Sequence, residues 1–153
     1  MKAKSIALTA AVCVAGVLMC YASSEMGSWK LNQGKSKFPP GVRKNTSVVY
    51  SASGDQIKVT TDGSEADGKP VHTEWTGKFD GKDYPLSGDP SADARAYTRV
   101  NQNTLELVSK KDGRLTSTAR VVMSPDGKTR TVTVVAHTPN GKTLTYTAVY
   151  DKE

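Results

Sequence analysis

His72 and Glu74 stand two residues apart in an alternating stretch, so an extended chain puts both side chains on one face. That spacing suits two ligands of a metal ion or a general acid–base pair. The alternation speaks against both. Val71, Thr73 and Trp75 hold the opposite, apolar face, which leaves His72 and Glu74 as a solvated pair on the polar side. His137 likewise shares its face with Thr131, Thr133 and Val135. Two histidines, with the only cysteines at Cys13 and Cys20, are a poor basis for a zinc site. Asp62, Glu65 and Asp67 crowd one turn-rich segment but lack the Asp-x-Asp-x-Asp-Gly order and flanking helices of a calcium loop. Asp89-Pro90 with Asp93 reads first as loop chemistry. No serine stands in Gly-x-Ser-x-Gly, and no helix offers Ser-x-x-Lys. With no nucleophile or base in a recognisable setting, the chain is not expected to be an enzyme, and neither metal nor cofactor is expected. Convergence of His72, Glu74 and Asp89 into one pocket would reverse that reading.

A second set of residues suits binding. Trp29, Tyr50, Trp75, Phe79, Tyr146 and Tyr150 fall on the apolar faces of their runs. Small residues share those faces: Ala52, Thr73, Gly77, Ala119, Ala136 and Ala148. Small residues opposite aromatic walls leave room for an apolar ligand, with Tyr50, Tyr146 and Tyr150 as hydroxyl donors. The same small residues would equally let the large rings meet and fill the interior. A small barrel can do either.

The elements that must position these residues are strands. Val48, Tyr50 and Ala52 alternate with polar neighbours, as do Ile57, Val59 and Thr61, and Val71 through Phe79. Further runs carry Leu105 and Leu107; Leu115, Ala119, Val121 and Met123; Val132, Val134 and Ala136; and Leu144 through Tyr150. Arg95, Tyr97 and Arg99 alternate too, which favours a strand from about Ala94 over a short helix capped by Ser91. Threonine-rich opposite faces fit a sheet with one wetted side. Asp67-Gly68, Asp80-Gly81, Asp112-Gly113, Asp126-Gly127 and Asn140-Gly141 supply the positive φ angles of tight hairpins. Short connections make successive strands antiparallel neighbours. The expected fold is all-β, an antiparallel up-and-down meander of about 8–10 strands closed into a small barrel to cover its apolar face. A β-sandwich is the alternative, though the chain lacks long crossovers. Lys35 to Arg43, with Pro39-Pro40-Gly41, is the one long break near the start.

Ahead of the strands, Lys2 and Lys4 precede an apolar run from Ile6 to Met19. That is the plan of a signal peptide, expected to span residues 1–22 with cleavage after Ala22. Residues 23–153 then form a single domain, about 130 residues long, enough to bury a core without disulfides. Cys20 opens a minor alternative in which it carries a lipid anchor to the envelope, although Met19 is large for a lipoprotein signal. The expected location is therefore exported, periplasmic or secreted. The chain carries a formal net charge of +6, and loss of Lys2 and Lys4 lowers it by two. No basic stripe accompanies it, so no nucleic acid partner is expected.

Two stretches resemble the calycin superfamily, the lipocalins and fatty-acid-binding proteins. Gly27-Ser28-Trp29-Lys30-Leu31 is similar to their Gly-x-Trp opening strand, and Thr147-Ala148-Val149-Tyr150-Asp151-Lys152 to their closing strand. The chain is also similar to uncharacterised lipocalin-like exported proteins of bacteria. The resemblance covers about a dozen residues and implies a barrel closed by its first and last strands, with Trp29 plugging one end. It departs from the fatty-acid-binding pattern twice. Ala148 stands where those proteins place a carboxylate-binding arginine, so only Tyr150 carries over. The stretch from Gln33 to Asn45 is also too short for their two-helix lid.

The resulting expectation is a monomeric exported barrel, without a membrane span once processed, that binds a small apolar or amphipathic molecule through Trp29, Tyr50, Trp75, Phe79, Tyr146 and Tyr150. The alternative is a solid-core envelope protein acting through protein contacts at Lys35 to Arg43 and Asp83 to Ala94.

Overall fold

The structure, a computed structural model, describes residues 23–153. The expected signal peptide, with Cys13 and Cys20, lies outside the described residues. Ten strands follow one another: β1 (Gly27–Leu31), β2 (Lys44–Ser53), β3 (Gln56–Ser64), β4 (Pro70–Gly77), β5 (Tyr84–Ser87), β6 (Ala94–Asn101), β7 (Thr104–Lys111), β8 (Arg114–Met123), β9 (Thr129–His137) and β10 (Thr143–Lys152). A single 3-10 turn at Gln33–Lys35 follows β1. Each strand pairs with the next, and β1 closes the ring on β10 through Trp29 opposite Lys152 and Leu31 opposite Tyr150. This is the closed up-and-down meander that alternation and turn chemistry predict.

The turns work as their residues require. Asp112 and Gly113 both take positive φ, 50° and 75°, which lets a two-residue hairpin join β7 to β8 without splaying them. The weakest seam is β5. It holds two residue pairs to each neighbour, because it is only four residues long and contains Pro85, which donates nothing to the ladder.

Some details differ from strict alternation. Leu115 does not join Ala119, Val121 and Met123 inside; it faces outward and is 47% exposed. A bulge at Thr116 is the reason: Ser109 pairs with Ser117 but Lys110 with Leu115, so the face flips across the extra residue. Phe79 lies beyond the end of β4, where its ring turns under the barrel against Trp75 and Tyr97.

The meander gives the barrel two unlike ends. One gathers the hairpins β2–β3, β4–β5, β6–β7 and β8–β9 with residues 23–26. The other, the mouth, gathers the segment 36–43 and the connections β3–β4, β5–β6, β7–β8 and β9–β10.

Candidate functional site

The first end is solid. Trp29 and Trp75, at 0% and 1% exposure, are joined there by Tyr50, Tyr97, Leu105, Met123 and Tyr150. Trp75 and Tyr97 have ring centroids 4.5 Å apart, Tyr97 and Phe79 5.4 Å, and Tyr50 meets Tyr97 edge-on at 6.4 Å. Both indoles are satisfied: Trp29 Nε1 donates to the Glu25 carbonyl and Trp75 Nε1 to the Arg95 carbonyl, each at 2.8 Å. Glu25 is itself buried and forms an ion pair with Arg99, whose guanidinium lies over Phe79 at 5.2 Å. Arg130 sits among three rings, 5.4 Å from Trp29, 5.3 Å from Tyr50 and 4.5 Å from Tyr150. Its Nε and Nη1 have no hydrogen-bond partner among the described residues, so the rings are its main counterweight. Burial pushes the Tyr150 phenol up to about 12 despite Arg130, and its hydroxyl donates to the Asn45 carbonyl at 3.1 Å.

The mouth end is hollow. A cavity of about 580 Å³ opens there, between two walls of different chemistry. Leu107, Val132, Val134, Ala136 and Leu144 form an apolar wall on β7, β9 and β10, with Ala119 on β8 giving depth. Tyr146 belongs to this wall and is braced from outside by Phe38, ring to ring at 5.6 Å. Burial raises its phenol above the ordinary value, so it stays a neutral hydroxyl. Among the described residues that hydroxyl makes no hydrogen bond.

The facing wall is ionic. Arg43 enters from the Pro39-Pro40-Gly41 segment and places Nη2 at 2.8 Å from Asp89 Oδ1. The same nitrogen lies 2.7 Å from Glu65 Oε1, within ion-pair distance but off the hydrogen-bonding direction, so that oxygen keeps an unused lone pair. Arg95, on β6, donates from Nε to Ser109 Oγ at 2.9 Å and holds Nη2 at 3.6 Å from Asp89 Oδ2. Asp89 Oδ1 also accepts from the Ser91 amide at 2.8 Å and the Ser91 hydroxyl at 2.7 Å. Its side chain is 3% exposed. Burial alone would push its carboxyl up, but the hydrogen bonds from Arg43 and Ser91 outweigh it and hold the carboxyl below its ordinary 3.8.

Gly88 makes this placement possible. Its φ is 78°, and a Cβ there would lie 2.0 Å from the His72 carbonyl oxygen. The β5–β6 connection thus presses against β4, and the next residue, Asp89, is aimed inward.

Of the six aromatics expected to form a binding wall, Tyr146 lines the cavity. Trp29, Tyr50, Trp75, Phe79 and Tyr150 meet in the solid end. His72 and Glu74 do not converge with Asp89. His72 lies on the outer face, Nδ1 at 2.6 Å from Asp62 and Nε2 at 3.5 Å from Glu74, and those two carboxylates raise its pKa. His137 borders the mouth. Asn45 faces the cavity. The sequence offers Arg43 only as the end of the Lys35 to Arg43 segment and Glu65 only beside Asp62 and Asp67 in a poor calcium loop, and it gives no sign for Ser109. Arg95 carried a usable signal, since it shares a face with Tyr97.

No protein-family model matches the chain, and no curated protein matches it. Solved structures to which it is similar include two redesigned beta barrels. One, mFAP1 bound to DFHBI, is 13% identical over 84% of this chain and 95% of that one, with a TM-score of 0.43. The other, b11L5F_LGL, is 11% identical over 88% of this chain and 97% of that one, with a TM-score of 0.45.

Proposed function

We propose that this protein is an exported, calycin-like binding barrel that takes one small apolar or amphipathic molecule through its mouth and holds it without chemical change. The observation that carries this reading is the cavity of about 580 Å³ with one apolar and one polar wall. Small-molecule sites commonly occupy roughly 300–1,000 Å³ and combine apolar lining with a few placed polar groups. Filling such a hollow removes apolar surface from water at about 25 cal/mol per Å², which is the driving force available. Tyr146 would offer its hydroxyl to the polar end of the ligand. The acidic and basic groups of the wall are engaged with one another, which suits holding rather than proton transfer.

Export rests on the leader, Lys2 and Lys4 ahead of the apolar run Ile6 to Met19, and residues 23–26 behind it are built into the solid end. The Met26 amide donates to the Ser23 carbonyl at 3.0 Å, Ser24 Oγ to the Gln102 carbonyl at 3.0 Å, and Glu25 is buried. Cleavage after Ala22 would keep all of these contacts, and a lipid anchor at Cys20 would keep them too.

Native mass spectrometry of the protein purified without denaturation tests the proposal. The expected result is an extra mass lost on denaturation, and its loss in Ala119→Trp, which fills the cavity floor. A bare protein that also ignores an uncharged fluorescent probe would overturn it and turn attention to protein contacts at the mouth segments.

A further inference from the structure

On the ionic wall the charges of Arg43, Arg95, Asp89 and Glu65 are already matched, and Lys111, which also lines the cavity, lies 4.0 Å from Asp93. Arg43 and Arg95 converge on Asp89, and Glu65 lies against the same Arg43 nitrogen. Two guanidiniums therefore face two carboxylates. Asp89 is no incidental surface acid: it is buried, fixed by Ser91 and aimed inward by a connection that only Gly88 can make. Across the cavity remains the neutral Tyr146 hydroxyl, which has no hydrogen-bond partner among the described residues.

We infer that Asp89 sets the class of ligand, by occupying the two cavity arginines so that the pocket takes an uncharged polar head, such as a hydroxyl, carbonyl or amide, in preference to a carboxylate. This rests on the cavity being a binding site. A ligand carboxylate placed against this wall would add a third anion beside Asp89 and Glu65. It would also give up its water without gaining a free guanidinium, and a charge moved out of water needs a partner to offset that loss. An uncharged head meets neither obstacle and finds Tyr146 as donor or acceptor. Removing the Asp89 charge while keeping its shape inverts the situation. Arg95 then has only the Ser109 hydroxyl, Arg43 only Glu65, and the wall carries an unmatched positive charge that attracts a carboxylate strongly at short range.

The experiment uses a matched pair, dodecanol and dodecanoate, each displacing an uncharged naphthylamine probe from the full protein. In the wild type, dodecanol should displace the probe about tenfold or more tightly than dodecanoate, a margin that one unmatched charge at short range readily supplies. In Asp89→Asn the preference should reverse through a gain in dodecanoate affinity, with dodecanol little changed. Glu65→Gln leaves the Ser91–Asp89 anchor in place and should shift the ratio the same way by less, so the test survives if Asp89→Asn fails to fold. Tighter dodecanoate binding by the wild type, or a ratio unmoved by both variants, overturns the inference and leaves the binding reading standing. Failure of the folded wild type to take up the probe or either ligand overturns both.

Discussion

The two ends of this barrel have the same strands and hydrogen-bond pattern, yet one is packed solid and the other is hollow. At the solid end, rings from β1, β2, β4, β6 and β10 point to the axis at one level, and Phe79 and Glu25 close it from below. At the hollow end Ala119, Val132, Val134, Ala136 and Leu144 stand side by side on one wall, too small to fill the space to the facing wall. On that facing wall Arg43 and Asp89 meet as ions. The contrast teaches that side-chain size by level along the axis, rather than strand number, separates a core from a container.

The sharpest way to break the contrast is to carve a void in the solid end. Trp29→Ala should lower the unfolding free energy by about 3–5 kcal/mol, as removal of a large buried ring does, measured by chemical denaturation. Next is Glu25→Gln, which strips the buried counter-charge from Arg99. Arg99 is one-third exposed, so solvent screens part of the effect, and a loss of about 1–3 kcal/mol is expected from the same measurement.

The mouth should show an acid limb. Asp89 titrates in the native protein below its ordinary 3.8, so its contribution is complete above that value and fades as pH falls through the lower native value. Denaturation midpoints recorded downward from pH 5 should fall for the wild type more steeply than for Asp89→Asn. Parallel curves would mean that Asp89 is not held as an ion. The smallest effect belongs to Val134→Ala on the cavity wall. With open space on one side it should lose less than about 1 kcal/mol. A loss comparable to a packed-core truncation would mean that the hollow is filled in solution.

Much of this was legible in the sequence. Trp29, Tyr50, Trp75 and Tyr150 lie on alternating apolar faces, and Asp-Gly pairs at regular intervals dictate hairpins, so the closed meander follows from local rules. The level at which each ring sits does not. It depends on stagger between strands, which bulges at Asn45/Ser47 and Ser109/Lys110 reset. That is why the aromatic set could be placed inside but not divided between core and cavity, and why Leu115 ends up outside. Asp89 was hidden for another reason. Gly88-Asp89-Pro90 has the composition of an exposed turn, and only the press of Gly88 on the His72 carbonyl turns the carboxylate inward. The alternation of Arg95 with Tyr97, like that of Arg130 with Val132 and Val134, is a local sign that a charged residue faces the interior.

The chain begins and ends its barrel on the same side. Lys152 Nζ reaches the Ser24 carbonyl at 3.4 Å, and the Glu153 amide donates to the Ser28 carbonyl at 3.0 Å, both at the solid end. Ser24, Ser28, Lys152 and Glu153 thus lie together at the closed base. The molecule is polar in the sense that a cup is: held by its foot, to a surface or to another chain, it keeps its opening turned outward.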